Sequence, residues 1–240
     1  MSDEDAFLTG IAADRADRTR LLVFADWLAD HADPREEFVR LHARLLDMDD
    51  TEPEFEKYDK AWRLWTRAPV RLDCMPQAAT DRLPACWLDA ICRLWSESDI
   101  HDAVLNGTRT ETPEVECVEY SFVDHDSEHA FDSIVLYHAE AAEFASPLAF
   151  AAATVANDIR DNEFFRSDQP LLGWSYPVTR GTFWRRWRER CAALRPPSLP
   201  RIPPDNLFTG AQLVSGGWCY WAAVAAYQRD YFALFWSTTD

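Results

Sequence analysis

Apolar residues recur at helical spacing in the first part of the chain and give way to strand-like runs near its end. Ser2 stands where a helix N-cap is expected, with Asp3, Glu4 and Asp5 in the first turn, where the helix dipole favours anions. Leu21, Phe24, Ala25 and Leu28 then line one face of a second helix. Pro34 cannot donate a backbone hydrogen bond, so that helix stops near His31 to Asp33, and Asp33 is placed to cap the next one with Pro34 at its first position. Phe38, Leu41, Leu45 and Met48 mark the buried face of a third helix. Asp26 and Arg40 are expected to pair across the turn.

The same spacing predicts further helices. Phe55, Tyr58, Trp62 and Trp65 place one over 51–68, ended by Pro69. Trp87, Leu88, Ile91, Leu94 and Trp95 place another from Pro84 to about Glu97. Residues 106–112 read as a polar turn, and Val115 to Val123 as a strand. Ser133 to Ala142 is ambiguous: Ile134-Val135-Leu136-Tyr137 favours strand and the alanines after it favour helix. Pro147 to Ile159 reads as an alanine-rich helix, and Asp161 to Tyr176 as a loop. Leu207–Val214, Trp218–Tyr227 and Tyr231–Thr238 read as three strands of an antiparallel meander, turning at Ser215-Gly216-Gly217 and Gln228-Arg229-Asp230. The prolines at 196, 197, 200, 203 and 204 form a stiff connector before it. The expected class is therefore α+β: an N-terminal helical module over 1–50, then a 51–240 domain of Trp-rich helices packed on a mainly antiparallel sheet with a C-terminal three-strand meander.

The opening segment carries a more specific signal. Asp3-Glu4-Asp5-Ala6-Phe7-Leu8, Ala25-Asp26-Trp27-Leu28, Asp33-Pro34-Arg35 and Glu37-Phe38-Val39-Arg40-Leu41 stand in that order. Over residues 1–48 this resembles the repeat-companion domains that recur in large paralogous sets in planctomycete bacteria. Ala32 and His42 depart from the pattern, which favours glycine before Asp-Pro and glutamine after the Arg-Leu pair. The resemblance implies a helical adaptor beside a variable partner domain, and no reaction.

Composition narrows the function classes. An apolar fraction of 48% with eleven tryptophans excludes a disordered chain. No stretch approaches the ~18 consecutive apolar residues of a membrane helix, and the acidic start is not a signal peptide, so a cytoplasmic protein is expected. The six cysteines show no CxxC or other zinc-ligand spacing and read as buried reduced thiols. The net charge of −17 is uneven: 17 acidic against 8 basic side chains over 1–60, 15 against 3 over 101–170, and 4 against 8 over 171–240. That excess argues against binding a phosphate backbone and suits a protein partner that is basic. Seven glycines leave no Gly-rich phosphate loop or dinucleotide fingerprint, so no cofactor is implied.

Two segments carry candidate chemistry. In His125-Asp126-Ser127-Glu128-His129, histidines four apart would share a helical face, and with Glu128 they make a candidate metal site for hydrolysis, although the HExxH order is absent. His101-Asp102 with the distant His138 assembles no wider ligand set. The other segment is basic. Phe183, Trp187, Cys191 and Leu194 fall on one helical face after a Thr179 or Thr182 cap, leaving Arg185, Arg186, Arg188 and Arg190 mostly outward, with Trp184 among them in sequence. These five are the candidate partner-binding residues. Arginines interleaved with tryptophan could also stack on single-stranded nucleic acid, or pair with the acidic 101–170 segment.

Overall fold

The structure, a computed structural model, describes residues 2–66, 83–96, 98–100, 102–103, 116–123, 131–161, 175–191, 203, 207–216 and 220–238, without side chains at 116–123, 131–132, 158–161, 215–216, 220 and 238. It is α+β. Five helices lead: α1 (Asp3–Ala13), α2 (Arg18–Asp30), α3 (Glu36–Asp47), α4 (Phe55–Thr66) and α5 (Ala85–Ile91). Strands β1 (Glu116–Val123) and β2 (Phe131–Glu140) follow, then α6 (Pro147–Asp161), the short β3 (Pro177–Val178) and α7 (Arg180–Cys191). The chain ends in β4 (Phe208–Gly216), β5 (Tyr220–Tyr227) and β6 (Asp230–Thr238).

Local chemistry sets the helix ends. The Ser2 hydroxyl accepts the Asp5 N–H at 3.2 Å while the Asp5 carboxylate accepts the Ser2 N–H at 2.9 Å, a reciprocal cap on α1. The Asp17 carboxylate caps α2 through the Arg20 N–H. Helix α2 ends in a Schellman turn, in which the Asp33 N–H donates to Leu28 O and the Ala32 N–H to Ala29 O, both at 3.0 Å. This turn puts Ala32 at φ 54°, the left-handed region where an L side chain is strained. An Ala32→Gly variant is therefore expected to gain about 0.5–1 kcal/mol, net of the greater freedom of glycine in the unfolded chain. A rise of a few degrees in the thermal midpoint checks this, and a fall would refute it. Helix α3 starts two residues later than expected, at Glu36, because the Asp33 carboxylate engages the Arg35 N–H and guanidinium and holds 33–35 as a turn. The expected Asp26–Arg40 ion pair is present at 2.8 Å.

One apolar core runs through all five helices, from Leu8 and Ile11 through Phe24, Phe38 and Trp62 to Trp87 and Ile91. Helix α5 is much shorter than its apolar spacing suggests. The Leu94 and Trp95 N–H groups donate to Gln212 Oε1 at 2.7 and 3.2 Å, which draws the chain off the helix after Cys92. Trp87 and Ile91 thus fill the helical core, while Leu94 and Trp95 pack against the sheet.

The six strands form one antiparallel sheet in the order β1-β2-β6-β5-β4-β3. Its last three strands make the expected meander, with Gln228 and Arg229 at the β5–β6 turn; of the Ser215-Gly216-Gly217 turn, 215 and 216 belong to β4 and 217 lies outside the described residues. The ambiguous segment is strand β2, closed by a short 3₁₀ turn at Ala141–Glu143. Helix α6 covers one face through Phe150, Ala151 and Val155, and α7 covers the other through Phe183, Trp184 and Trp187. Both faces of β5 are buried, so it reads as a continuous run, Trp221 to Tyr227, without alternation. The polar turn at 106–112, most of the 161–176 loop and all of the 196–204 prolines except Pro203 lie outside the described residues.

Candidate functional site

The basic helix α7 is built onto the sheet by its own sequence. Thr179 caps it, its hydroxyl accepting the Thr182 N–H at 3.2 Å. Phe183, Trp187 and Cys191 face inward as expected, and Leu194 lies outside the described residues. Trp184 also turns inward. It is 5% exposed, and its indole N–H donates to the Tyr227 hydroxyl at 2.7 Å. The alanines of β5 let the helix lie close to the sheet, which widens its buried arc to include Trp184.

The arginines engage neighbours within the chain. Arg188 pairs with Asp50, and Arg186 with Glu189 at 3.3 Å. The Arg185 guanidinium lies 5.3 Å from the Phe55 ring centroid, and that of Arg190 stacks 3.6 Å over Trp236. The helix start is tied more firmly. Thr179 and Thr182 hydroxyls both donate to Asp59 Oδ1, at 2.6 and 2.9 Å, and Arg63 pairs with Asp59 Oδ2 at 2.6 Å. Asp59 and Arg63 are only 3% and 6% exposed, so this is a buried ion pair joining α4 to α7. Beside it Gly181 lies so close to the Phe55 ring that a methyl group there would overlap it.

A cleft opens at the seam between the helices and the sheet. Arg15, from the α1–α2 connection, and Arg180, at the start of α7, both line it, with His42, Cys92 and Thr209. Arg15 donates to Thr209 O at 3.4 Å and Asp89 O at 2.5 Å, and Arg180 to Met48 O at 3.4 Å. Burial lowers the pKa of both guanidiniums from the ordinary value. Burial, with a smaller contribution from Arg15, pushes His42 down to about 4. Trp62 Nε1 donates to His42 Nδ1 at 3.2 Å, so the neutral ring carries its proton on Nε2. Burial also pushes the Cys92 thiol up to about 12 and that of Cys191 to about 11, so neither supplies a thiolate at neutral pH. Cys86, by contrast with the buried thiols expected, faces solvent, because α5 turns its neighbour Trp87 inward.

His125, Glu128 and His129 lie outside the described residues, as does His101. Among the described residues no three His, Cys, Asp or Glu side chains group to hold a metal ion. His138 meets Asp230 at 3.1 Å across the β2–β6 pair. No described helix is long and apolar enough to cross a membrane. The cleft arginines carry no local sequence signal: Arg15 stands in an Asp-Arg-Ala-Asp spacer that reads as solvated, and only the tertiary fold brings Arg180 near it. Comparison with known proteins returns no match, whether to family models, to curated proteins or to solved structures.

Proposed function

We propose that the protein is a non-enzymatic interaction or regulatory protein whose acidic helical unit docks a basic protein partner, as an adaptor or an inhibitor. The observation that carries this reading is the distribution of charge over α1 to α4. Asp3, Asp30, Glu37, Glu52 and Glu56 stand exposed with no basic side chain paired to them among the described residues. The arginines of the same surface are already engaged, Arg18 with Asp47, Arg40 with Asp26 and Glu36, and Arg44 with Glu54. The unit therefore offers carboxylates outward and few free cations, a field that attracts a basic surface and repels copies of itself. The resemblance of residues 1–48 to repeat-companion domains supports an adaptor role.

The engagement of Arg188 with Asp50 and of Arg190 with Trp236 weighs against nucleic acid as the ligand of α7, since binding would have to release these contacts. The test is affinity capture from the host lysate with wild type and with a quadruple variant, Asp30→Lys, Glu37→Lys, Glu52→Lys and Glu56→Lys. Wild type is expected to retain one basic protein at stoichiometric yield, released at roughly 0.5 M salt, where screening confines charge effects to a few ångströms. The variant is expected to lose it. Capture that survives the charge reversal would remove the acidic face from the account.

A further inference from the structure

We propose that the cleft between the helical unit and the sheet binds a small tetrahedral oxyanion, inorganic phosphate or the phosphoryl group of a small metabolite, held between Arg15 and Arg180. This concerns the seam and is independent of the acidic face and its partner.

The starting point is Arg15. Arg15 is half-buried, its Nε–H is shut off from solvent with no acceptor, and among the described residues no carboxylate lies within 4 Å of its guanidinium. Asp89, the nearest source of one, presents only its backbone oxygen; its carboxylate turns to Arg93 at 2.5 Å. A buried cation is normally matched by an anion, because desolvation costs several kcal/mol per ion. In a chain of 41 acidic and 24 basic side chains a carboxylate would have been simple to place there. Leaving it out keeps the cation available to a ligand.

The opposite wall adds positive potential. Arg180 lines the same cleft at the first residue of the twelve-residue α7, where the positive end of that helix dipole adds to its charge and the nearby carboxylates of Asp49, Asp50 and Asp47 offset part of it. His42, held neutral, contributes a proton on Nε2 without a charge of its own. Most of the remaining lining is apolar, with Leu45, Ile91, Phe208 and Ala211 beside Thr179 and Thr209, which lowers the local dielectric and strengthens a charge contact.

Geometry selects the anion. Each guanidinium already gives terminal N–H groups to carbonyl oxygens, Arg15 to Thr209 and Asp89 and Arg180 to Met48. Single donors arriving from two walls suit an oxyanion whose acceptors point in several directions.

The probe is inorganic phosphate replacing chloride at constant ionic strength, on the full chain, read by thermal unfolding and by ³¹P line broadening. A saturable response from one site per chain is expected, with the thermal midpoint rising roughly 2–4 °C as the site fills. Arg15→Lys and Arg180→Lys keep the charge but lose the directed N–H groups, and each is expected to weaken binding about 10-fold. If one variant fails to fold, the other and the ³¹P titration of the wild type still decide. A sugar phosphate binding more tightly than phosphate would make the ligand a metabolite, and the reverse would make it the free anion. No saturable response, an equal response to acetate, or unchanged affinity in the folded lysine variants would overturn the proposal.

Discussion

Replacing Asp59 by alanine is expected to destabilise the protein by about 3–5 kcal/mol, the usual loss when one member of a buried ion pair is removed. The loss comes mainly from what is left behind. Arg63 is 6% exposed, and without Asp59 its guanidinium would be a buried charge with no carboxylate at 2.6 Å to compensate it. The hydroxyls of Thr179 and Thr182 would also lose their common acceptor, although they lie 3.0 Å apart and can bond to each other. This cluster joins α4 to the cap of α7, so its failure would loosen the contact of Phe55 with Gly181 as well. Urea unfolding of Asp59→Ala beside the double variant Asp59→Ala, Arg63→Met separates the contributions. The double variant removes both charges and is expected to recover most of the loss, since apolar replacement of a whole buried pair is often neutral. A single variant costing under about 1 kcal/mol would mean that water reaches the site and the pair is not buried in solution.

The features legible in the sequence are those decided within a few residues of themselves. Ser2 and Pro34 act on their own helix ends, and the apolar stripes of α2 and α3 need only the 3.6-residue period. The ends of α5 and the identity of β2 were not legible for the opposite reason. Helix α5 stops where it does because Gln212, 117 and 118 residues away in sequence, takes the Trp95 and Leu94 N–H groups. In β2 the run Ile134 to Tyr137 is buried on both sides, which erases the alternation that distinguishes a half-exposed strand. Trp184 belongs with these, since its inward turn depends on small residues in β5. The cleft was the least legible feature of all. Arg15 and Arg180 are 165 positions apart, and each looks locally like a solvated arginine beside polar neighbours. Nothing short of the fold shows that both enter one seam, or that Asp89 turns its carboxylate away.

The burial of His42 leads to a measurable pH dependence. His42 is 7% exposed beneath the helical core, and its ordinary pKa of 6.5 falls to about 4 because burial penalises the imidazolium and Arg15 repels it. In the unfolded chain the same ring binds a proton below about pH 6.5. Between these two values the unfolded state therefore holds a proton that the folded state refuses. Stability is full above about pH 6.5, declines as the pH falls toward 4, and declines no further from this group below that. A separation of this size corresponds to about 3 kcal/mol in total, with roughly half lost by pH 5. Carboxylates titrate near the lower end of the window, so the comparison that isolates His42 is with His42→Gln. Glutamine provides a carbonyl oxygen to accept the Trp62 indole N–H and does not titrate. Denaturant unfolding at pH 7.5 and pH 5 should show wild type losing about 1–2 kcal/mol more than the variant. Equal losses would mean that His42 can protonate inside the fold, and that the wall it gives the cleft is hydrated.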